Sequence, residues 1–502
     1  MSARAEHESL AAYLQTTLTA EQRQHVGIIS FNQWSFALGA VVETALAARD
    51  IGSQVTVALW SGKTPLYDTG WTAHRGLSRL LGSASRDENA YRALRRAGFP
   101  KDAFAKPPIR RWHPIETLPA SPNPKRSAIR QLSYRGSGMG RSILQVHPDA
   151  NTPIRDDYEW PTRYLNQAMK SYAWAYDQSR ALIEERGITT VVVYNGRFTH
   201  DRAVAAAAEA AGAQTLYYDT GGYETDFDLT VATTHDWQHL QVRMRDMYDA
   251  WGDDRDEIGA KWFIDRQTHA DTNNAIFVAH QERGFIADLP EAEQLVVFFS
   301  SSGDEIAELE LDWDDYLESQ ENALDLLAHE CRERPGTKLV VRTHPHMGLK
   351  PEDDLDHWLA AVNRASPDLH FDPFSKVDSY ELMRRADVVF TYGSTSGVEA
   401  GFIGRPVAVM GPSAYDTLGC AGRVRSRGDI QKALDDPPVP HPQGALPYGL
   451  MMQRRGFSFE HLHVELPGEP ILEGVELAEA NELTRKMSDA LRRRQLTRLA
   501  SS

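Results

Sequence analysis

The sequence predicts an α/β protein with two domains of comparable size, each built on a parallel β-sheet, that face each other across a central cleft. Three observations support this prediction. Short apolar runs alternate with helical segments in both halves of the chain, as in parallel sheets covered by helices on both faces. The 502 residues exceed one ordinary core, so two or three domains are expected. Polar, glycine-rich loops follow the predicted strands, where open parallel sheets bind their ligands.

The first half of the chain begins in β-α-β order. Apolar runs predict strands at 25–31, 54–60, 189–197 and 214–222, and helical periodicity predicts helices at 34–50, 166–187 and 199–213. Residues 61–165 are rich in Pro, Gly and Arg with short helical pieces, and a segment this long with so little regular pattern is usually a functional insertion. Residues 235–283 are polar and helical in pattern. We therefore place the first domain at 1–280.

The second half repeats the alternation. Strands are predicted at 294–302, 338–346, 369–372 and 388–390, with a further apolar run after Pro406, and helices at 313–334, 353–365 and 378–386. These elements predict a second domain at 281–475. The remaining residues, 476–502, are expected to form a basic C-terminal helix.

Composition narrows the class of protein. A hydrophobic content of 41% with 25% charged residues is typical of a soluble globular protein, and no apolar window approaches the roughly 20 residues of a membrane span. The polar N-terminus lacks the pattern of a signal peptide. The two cysteines, Cys331 and Cys420, are too few for a disulfide framework, which fits the reducing cytoplasm. A formal net charge of −16 argues against nucleic acid as a partner.

Two basic islands interrupt this acidic chain, at 92–112 and 485–499. One interpretation is a solvated helix face. The other is attraction to an anionic acceptor or to anionic lipid at the inner face of the plasma membrane, where each Lys or Arg contributes about 1 kcal/mol. The sequence leaves both interpretations open.

Residues that suit a phosphate follow three strands of the second domain. Hydroxyls, a guanidinium and imidazoles are donors to phosphate oxygens, and the loop "GSTSG" leads into a helix whose first amides are unpaired. We expect a nucleotide diphosphate there, with Glu399 accepting hydrogen bonds from a ribose. The predicted nucleotide-binding site is Ser301, Ser302, Arg342, His344, Ser394, Thr395, Ser396 and Glu399.

Two alternatives concern the same residues. "SGVE" at 396–399 has the S-x-x-E pattern of a capping box, in which Ser396 caps the helix and Glu399 reaches back to it. His344 and His346 have a metal-ligand spacing, but no third Cys or His is nearby in the sequence, so a phosphate contact is the favoured interpretation and no metal is expected.

The strand ends of the first domain offer candidates for acid–base chemistry. Asp219 and Glu224 lie in a glycine-rich strand end, and a carboxylate there could accept the proton of an acceptor hydroxyl. His200 is a third candidate. Asn195 and Arg197 are expected to bind the acceptor or an anion, although Arg197 could instead pair with a carboxylate such as Asp219. Ordinary turn and N-cap chemistry is the alternative for the three candidate bases.

Other enzyme classes lack their motifs. The chain has no G-x-x-x-x-G-K-[ST] loop of P-loop nucleotide hydrolases and no G-x-S-x-G elbow of serine hydrolases.

The segments "VVVYNGRFTHDRAVAAAAEAAGAQTLYYDTGG", "LVVRTHPH" and "DSYELMRRADVVFTYGSTSGVEAGFIGRPV" resemble the bacterial capsule and surface-polysaccharide glycosyltransferases of the GT-B fold, over about 185–412. The resemblance implies two Rossmann-like domains and a nucleotide-sugar donor. It implies that His344 contacts the donor phosphate, that Ser394, Thr395 and Ser396 hold it, that Glu399 takes the ribose, and that no metal is needed.

On this basis we expect a cytoplasmic glycosyltransferase without cofactor, which moves a sugar from a nucleotide-activated donor to a surface glycan or a lipid-linked acceptor. Two other hypotheses stay open: a nucleotide-sugar 2-epimerase on the same architecture, and a non-catalytic nucleotide-binding assembly protein. The first 185 residues match no family and are expected to hold the acceptor site.

Overall fold

The structure is a computed structural model, and it describes residues 9–32, 35–60, 64, 77–106, 124–145, 158–160, 162–223, 225–268, 278–303, 308–309, 316–350, 352–464 and 470–477. Residues 478–502 of the predicted C-terminal helix therefore lie outside the described residues, as does Glu224. So do 107–123 and 146–157 of the predicted insertion. Glu476, placed in the same helix by sequence, ends a strand instead.

Strands and helices alternate through most of the chain. The strands are β1 (His25–Ser30), β2 (Gln54–Leu59), β3 (Ser133–Tyr134), β4 (Ser137–Gly138), β5 (Thr190–Tyr194), β6 (Gln214–Thr220), β7 (Asp226–Thr230), β8 (Gln294–Phe299), β9 (Thr337–Arg342), β10 (Leu369–Phe371), β11 (Val388–Thr391), β12 (Val407–Val409), β13 (Gly422–Arg423), β14 (Phe457–Ser458), β15 (His463–Val464), β16 (Pro470–Leu472) and β17 (Val475–Glu476).

The helices of the first half are α1 (Leu10–Thr17), α2 (Ser35–Asp50), α3 (Leu77–Arg96), α4 (Arg126–Arg130), α5 (Gly140–Gln145), α6 (Thr162–Arg186), α7 (Thr199–Ala210), α8 (Trp237–Ala250) and α9 (Arg255–Gln267). Those of the second half are α10 (Gln320–Arg332), α11 (Glu352–Ala365), α12 (Ser379–Arg385), α13 (Ser396–Phe402), α14 (Arg427–Asp435) and α15 (Leu446–Arg454). Short 3-10 helices lie at Lys101–Ala103, Pro345–Leu349 and Pro442–Ala445.

The first sheet has six strands in the order β14-β7-β6-β5-β1-β2. Strands β2, β1, β5 and β6 are parallel, and β7 and β14 continue the sheet antiparallel. Its parallel strands are mostly apolar, as "VVVY" in β5, because both faces are covered: α1, α2, α3 and the small sheet β15–β17 pack on one face, and α6 and α7 on the other.

The second sheet is entirely parallel, in the order β10-β9-β8-β11-β12-β13. Successive strands run outward from β8 to β10 and then, from β11, outward in the opposite direction. This is the doubly wound Rossmann order, and it opens a crevice between the carboxyl ends of β8 and β11. The predicted fold class, two Rossmann-like α/β domains, is confirmed.

The domain boundaries differ from those predicted. Residues of α8 and α9, placed in the first domain by sequence, pack in the core of the second, where Met244, Trp262 and Phe263 are buried. Residues 457–477, placed in the second domain, return to the first: β14 pairs with β7, and Leu462 and Leu472 enter its core. Local sequence pattern carries no information about which sheet a segment packs against.

The described part of the insertion is more regular than predicted, because it contains α3, a helix of 20 residues. It also contains α4 and α5, which contact the second domain through Glu308. The Glu308 carboxylate is buried, with Oε1 2.5 Å from Nε of Arg126 and 3.0 Å from Nη2 of Arg130. These ion pairs connect the segment after β8 to the first domain.

Candidate functional site

A cleft of about 610 Å³ lies at the carboxyl ends of both sheets. The structure brings ten of the predicted site residues to its walls from the two domains: Asn195, Arg197, Asp219, Ser301, Ser302, His344, Ser394, Thr395, Ser396 and Glu399. Because Ser301 follows β8 and Ser394 follows β11, this set includes the crevice of the second sheet.

The loop 393–396 is built on a glycine and two hydrogen bonds. Gly393 has φ +83°, and a Cβ at this position would lie 2.0 Å from the carbonyl oxygen of Pro412, so only glycine fits. The Ser394 amide donates to Thr391 Oγ1 (3.1 Å), and its carbonyl accepts from the Tyr415 hydroxyl (2.5 Å). The backbone of Ser394 is therefore held in place at the cleft.

The predicted capping box is wrong. The residue before α13 is Thr395, without a side-chain cap bond, and the Ser396 amide donates to Ser394 Oγ at 3.3 Å. Glu399 instead accepts from Nε of Arg266 at 2.5 Å, and both side chains are largely buried. Burial alone lowers the pKa of Arg266, but the Glu399 carboxylate raises it above its usual range. Glu399 is thus in an ion pair at the cleft wall.

His344 has a defined tautomer. Its Nδ1 accepts from the His346 amide at 3.1 Å, while its own amide donates to Ser300 Oγ at 2.8 Å. An imidazole nitrogen that accepts a hydrogen bond carries no proton, so in the neutral ring Nε2 carries it and is a donor. A donor at the cleft wall suits a phosphate oxygen.

Arg342 does not line the cleft, contrary to the prediction. The last residue of β9 is buried, and its Nη1 donates to the carbonyl oxygens of Thr343 and Asp372. Burial lowers its pKa to about 10, partly countered by Asp372. The carbonyl after the neighbouring strand β10 directs the guanidinium to that edge of the sheet, where it joins the two strand ends.

On the opposite wall, three donors hold the Asp219 carboxylate. Oδ1 accepts from the Thr220 amide (2.8 Å), and Oδ2 accepts from Asn195 Nδ2 (2.5 Å) and from Thr234 Oγ1 (3.1 Å). A carboxylate has about four lone-pair positions, so Oδ1 can still accept one further hydrogen bond. The geometry is compatible with a hydroxyl of a bound acceptor at this position.

A chain of hydrogen bonds extends from Asp219 to Arg197. Arg197 Nη1 lies 3.1 Å from His235 Nε2, and His235 Nδ1 lies 2.9 Å from Thr234 Oγ1. Burial, with the nearby Arg197 and Arg455, lowers the pKa of His235 well below its usual range, so the ring is neutral at pH 7. Since a guanidinium only donates, Nε2 accepts and Nδ1–H donates to Thr234, whose hydroxyl donates to Asp219.

Of the other candidate bases, His200 lies away from the cleft. It is buried, its Nε2 is 2.5 Å from Thr64 Oγ1, and its ring stacks on Phe31 with centroids 4.6 Å apart. These contacts hold the imidazole ring of His200 against the hydrophobic core of the first domain. The prediction for Glu224 falls outside the described residues.

Among the cleft residues that the sequence analysis missed are Thr234, His235, Arg266 and Arg455. Thr234 and His235 lie in an irregular loop after β7. Because β7 is antiparallel, the rule that ligands bind at the carboxyl ends of parallel strands does not select this loop. Arg266 lies in the last turn of the polar helix α9, and Arg455 directly follows α15. A search for arginines at helix ends would have found both.

Two further features of the described residues bear on the class of protein. They contain no group of three or more His, Cys, Asp or Glu side chains arranged to hold a metal ion. No helix among them is long and apolar enough to cross a membrane.

In the first basic island, Arg95 pairs with Glu88, and Arg96 donates to the carbonyl of Glu473.

Fold and cleft define an α/β protein with two Rossmann-like domains and a polar site between them. Residues 312–427 match the family model described as "Capsule polysaccharide biosynthesis protein". This segment contains the strand ends of His344 and Ser394, so the resemblance predicted from sequence is confirmed there. No curated protein matches the chain at a significant level.

Solved structures that match this chain include a β-Kdo 2,7 transferase, KpsC, of Thermosulfurimonas dismutans (12% identity, 55% of this chain and 80% of that chain, TM-score 0.33). Others are the Methanocaldococcus jannaschii UDP-GlcNAc 2-epimerase in complex with UDP-GlcNAc and UDP (9%, 85% and 98%, 0.30) and MurG of Acinetobacter baumannii (11%, 87% and 97%, 0.27). With TM-scores this low, the function proposed below rests on the cleft and on the family match.

Proposed function

We propose that the protein is a glycosyltransferase that moves a sugar from a nucleotide-activated donor to a surface glycan or a lipid-linked acceptor. One observation carries the proposal: donors from three strand ends of the second sheet, Ser301, His344 and Ser394, line one cleft whose opposite wall holds the Asp219 carboxylate. Hydroxyls and an imidazole N–H suit a diphosphate, and a carboxylate suits a hydroxyl that must lose a proton.

In this mechanism the donor diphosphate lies against the loop 393–396 and His344. As the bond between the sugar and the diphosphate breaks, negative charge develops on the leaving phosphate. The hydrogen-bond donors of the loop 393–396 and of His344 are already in place and stabilise this charge. The helix α13 has only seven residues, so we assign this role to the loop and to His344 rather than to a helix dipole. Arg455, at the same cleft, supplies a cation for the leaving group.

The acceptor hydroxyl binds at the free position of Asp219 Oδ1 and gives its proton to that carboxylate as its oxygen attacks the sugar. Thr234 and Asn195 fix the other oxygen and therefore the orientation of the group. The proposal includes activity without a metal. Full activity after chelation with EDTA supports this part, and activity restored only by Mg²⁺ or Mn²⁺ contradicts it.

Nucleotide binding is the direct test. A thermal-shift screen against UDP, CMP, CDP and GDP should find at least one stabilising nucleotide, because binding at a hundredfold excess over Kd stabilises the native state by about 2.7 kcal/mol. The variant Ser394→Ala/Thr395→Ala/Ser396→Ala should lose this shift. Thr337→Ala, at the amino end of β9 on the opposite edge of the same sheet, is the matched control.

Turnover separates the proposal from the two other hypotheses. Incubation of the matching nucleotide sugar with and without acceptor glycans, followed by NMR, should show release of nucleotide that depends on acceptor. Conversion of the donor alone indicates an epimerase. Binding of nucleotide without any reaction, unchanged by Asp219→Asn, indicates an assembly protein. No binding of any nucleotide overturns all three.

A location at the inner face of the plasma membrane is part of the proposal only for a lipid-linked acceptor. Sedimentation with phosphatidylglycerol vesicles, compared with phosphatidylcholine vesicles, tests it. Binding to the anionic vesicles that is lost when residues 478–502 are removed supports the basic tail as the contact, and equal sedimentation with both vesicles contradicts it.

A further inference from the structure

A second chamber, of about 360 Å³, adjoins the cleft. The two cavities share a wall made of Arg197 and the segment 233–237, whose residues Thr233, His235, Asp236 and Trp237 line both. None of the residues assigned to the donor phosphate lines the chamber. Its other walls come from α5, the start of α7 and α8, and from Glu308 and Arg423 of the second domain.

Arginines dominate the charge of the chamber. Its described lining contains four arginines, namely Arg141, Arg197, Arg202 and Arg423, and two carboxylates, Asp236 and Glu308. The two carboxylates already have structural roles. Asp236 accepts from the His239 amide (3.0 Å) at the start of α8, and Glu308 is buried against Arg126 and Arg130.

Besides Arg197, which contacts His235, two of these arginines have defined contacts. Arg141 lies 3.8 Å from Glu308, and 36% of its side chain is exposed. Arg423 lies 2.9 Å from Asp416 and over the ring of Tyr316 at 5.9 Å. A guanidinium presents five donors in a planar fork, so one group can contact a protein carboxylate and a ligand anion at the same time. Trp237 and Tyr316 add aromatic surface, which packs well against the apolar face of a sugar ring.

We propose that this chamber binds an anionic group of the acceptor, a phosphate or a sugar carboxylate, and thereby selects charged glycans over neutral ones. The volume lies in the range of small-molecule sites, about 300 to 1,000 Å³. Guanidinium groups match both anions with paired N–H donors. The carboxylates of Glu308 and Asp236 already contact other protein groups. The arginines of the lining are therefore the groups that contact the bound anion.

The position of the chamber relates it to the acceptor rather than to the donor. Arg197 belongs to both cavities, and the hydrogen-bonded chain through His235 and Thr234 runs from it to Asp219. An acceptor with its anion in the chamber and its reacting hydroxyl at Asp219 therefore extends along this wall. The inference rests on the proposed glycosyltransferase function.

The test measures binding of three sugars by calorimetry: glucose 6-phosphate, glucuronate and glucose. It is done with the saturating nucleotide from the screen present, which fills the donor site. We expect measurable binding of at least one charged sugar, which also identifies the anion, and much weaker binding of glucose. Equal binding of all three, or none, overturns the inference.

The variants Arg141→Gln and Arg423→Gln should each weaken binding of the charged sugar about tenfold, the loss expected for a charge-assisted hydrogen bond. Arg364→Gln is the matched control, because Arg364 is an exposed arginine paired with Asp325 and does not line the chamber. Arg141→Lys keeps the charge and should lose less affinity for the charged sugar than Arg141→Gln. This conservative variant distinguishes the loss of a charge from a folding defect. Unchanged affinity in both glutamine variants contradicts the inference.

The outcomes distinguish this inference from the proposed function. If no nucleotide binds, the glycosyltransferase proposal fails. If a nucleotide binds and sugar is transferred equally well to neutral and charged acceptors, in the wild type and in both glutamine variants, the chamber inference alone fails.

Discussion

Arg266 and Glu399, 133 residues apart in the chain, form an ion pair at the wall of the cleft, with Nε and Oε1 2.5 Å apart. Arg266 also lies over the ring of Trp262 at 4.7 Å. The pair connects α9 to α13, the helix that follows the loop of Ser394. The position of this loop therefore depends on a helix that lies far from it in sequence.

Removal of one partner should be costly. Arg266→Leu leaves the Glu399 carboxylate buried without its cation, and we expect the free energy of unfolding to fall by about 3 to 5 kcal/mol. The double variant Arg266→Leu/Glu399→Leu should recover part of this loss. Lys261→Met, on the same helix, is the control, because its pair with Asp265 is exposed and worth less than about 1 kcal/mol. Urea denaturation measures all three, and equal losses in the Arg266 and Lys261 variants would contradict the prediction.

Thr234 should act as a positioning residue for Asp219. Thr234→Val removes the hydroxyl that joins His235 to Asp219, so we expect kcat to fall about tenfold, a fraction of a full acid–base contribution. KM for the nucleotide sugar should not change, because Thr234 is not among the residues assigned to the donor. Thr234→Ser should restore activity. A loss of thermal stability equal in both variants, without this split of kcat from KM, would assign Thr234 a structural role only.

Stability should decrease with rising pH through His461. Its Nδ1 lies 2.7 Å from Glu43 and its Nε2 lies 2.9 Å from Asp50, both on α2. Burial lowers the pKa of His461, but the hydrogen bonds to the two carboxylates outweigh this effect and raise it. Because the unfolded chain binds this proton with a pKa of about 6.5, the contribution is fully present below that pH and is lost as pH rises through the folded-state pKa.

The measurement is the free energy of unfolding between pH 5.5 and 8.5. His461→Gln should cost about 1 kcal/mol at pH 5.5 and much less at pH 8.5. His463→Gln, at an exposed neighbour, is the control. A cost that does not depend on pH would mean that His461 contributes packing rather than charge.

Glu308→Gln should weaken the contact between the domains. The substitution leaves Arg126 and Arg130 beside a neutral amide in a buried site, and we expect a loss of about 3 to 5 kcal/mol. Asp435→Asn is the control, since its pair with Arg334 is exposed. Limited proteolysis gives an independent measure: the Glu308 variant should be cleaved faster between the domains, and an unchanged rate would show that other contacts hold them together.

The sequence predicts well whatever depends on local pattern and on parallel-sheet geometry. Apolar runs identify the buried strands, and the rule that ligands bind at carboxyl ends selects Ser301, His344 and Ser394, which do meet at one cleft. These three residues meet because the parallel strands of the second sheet end at the same edge of the sheet.

Contacts between distant segments lie beyond such patterns. The pattern "SGVE" is locally a capping box, but Arg266 is a stronger partner for Glu399 and comes from α9. Arg342 follows the strand rule in sequence, yet the carbonyl of Asp372 turns it away. In both residues a tertiary partner overrides a local preference, and only the folded chain shows which partner is present.

The return of residues 457–458 to pair with β7 has a consequence for biosynthesis. The chain leaves the first domain after β7 and comes back to it after α15, so the ribosome completes the entire second domain before the edge strand of the first sheet exists. The first domain therefore cannot complete its sheet until residues 457–458 have been synthesised. Until then, the edge of β7 stays unpaired in the nascent chain.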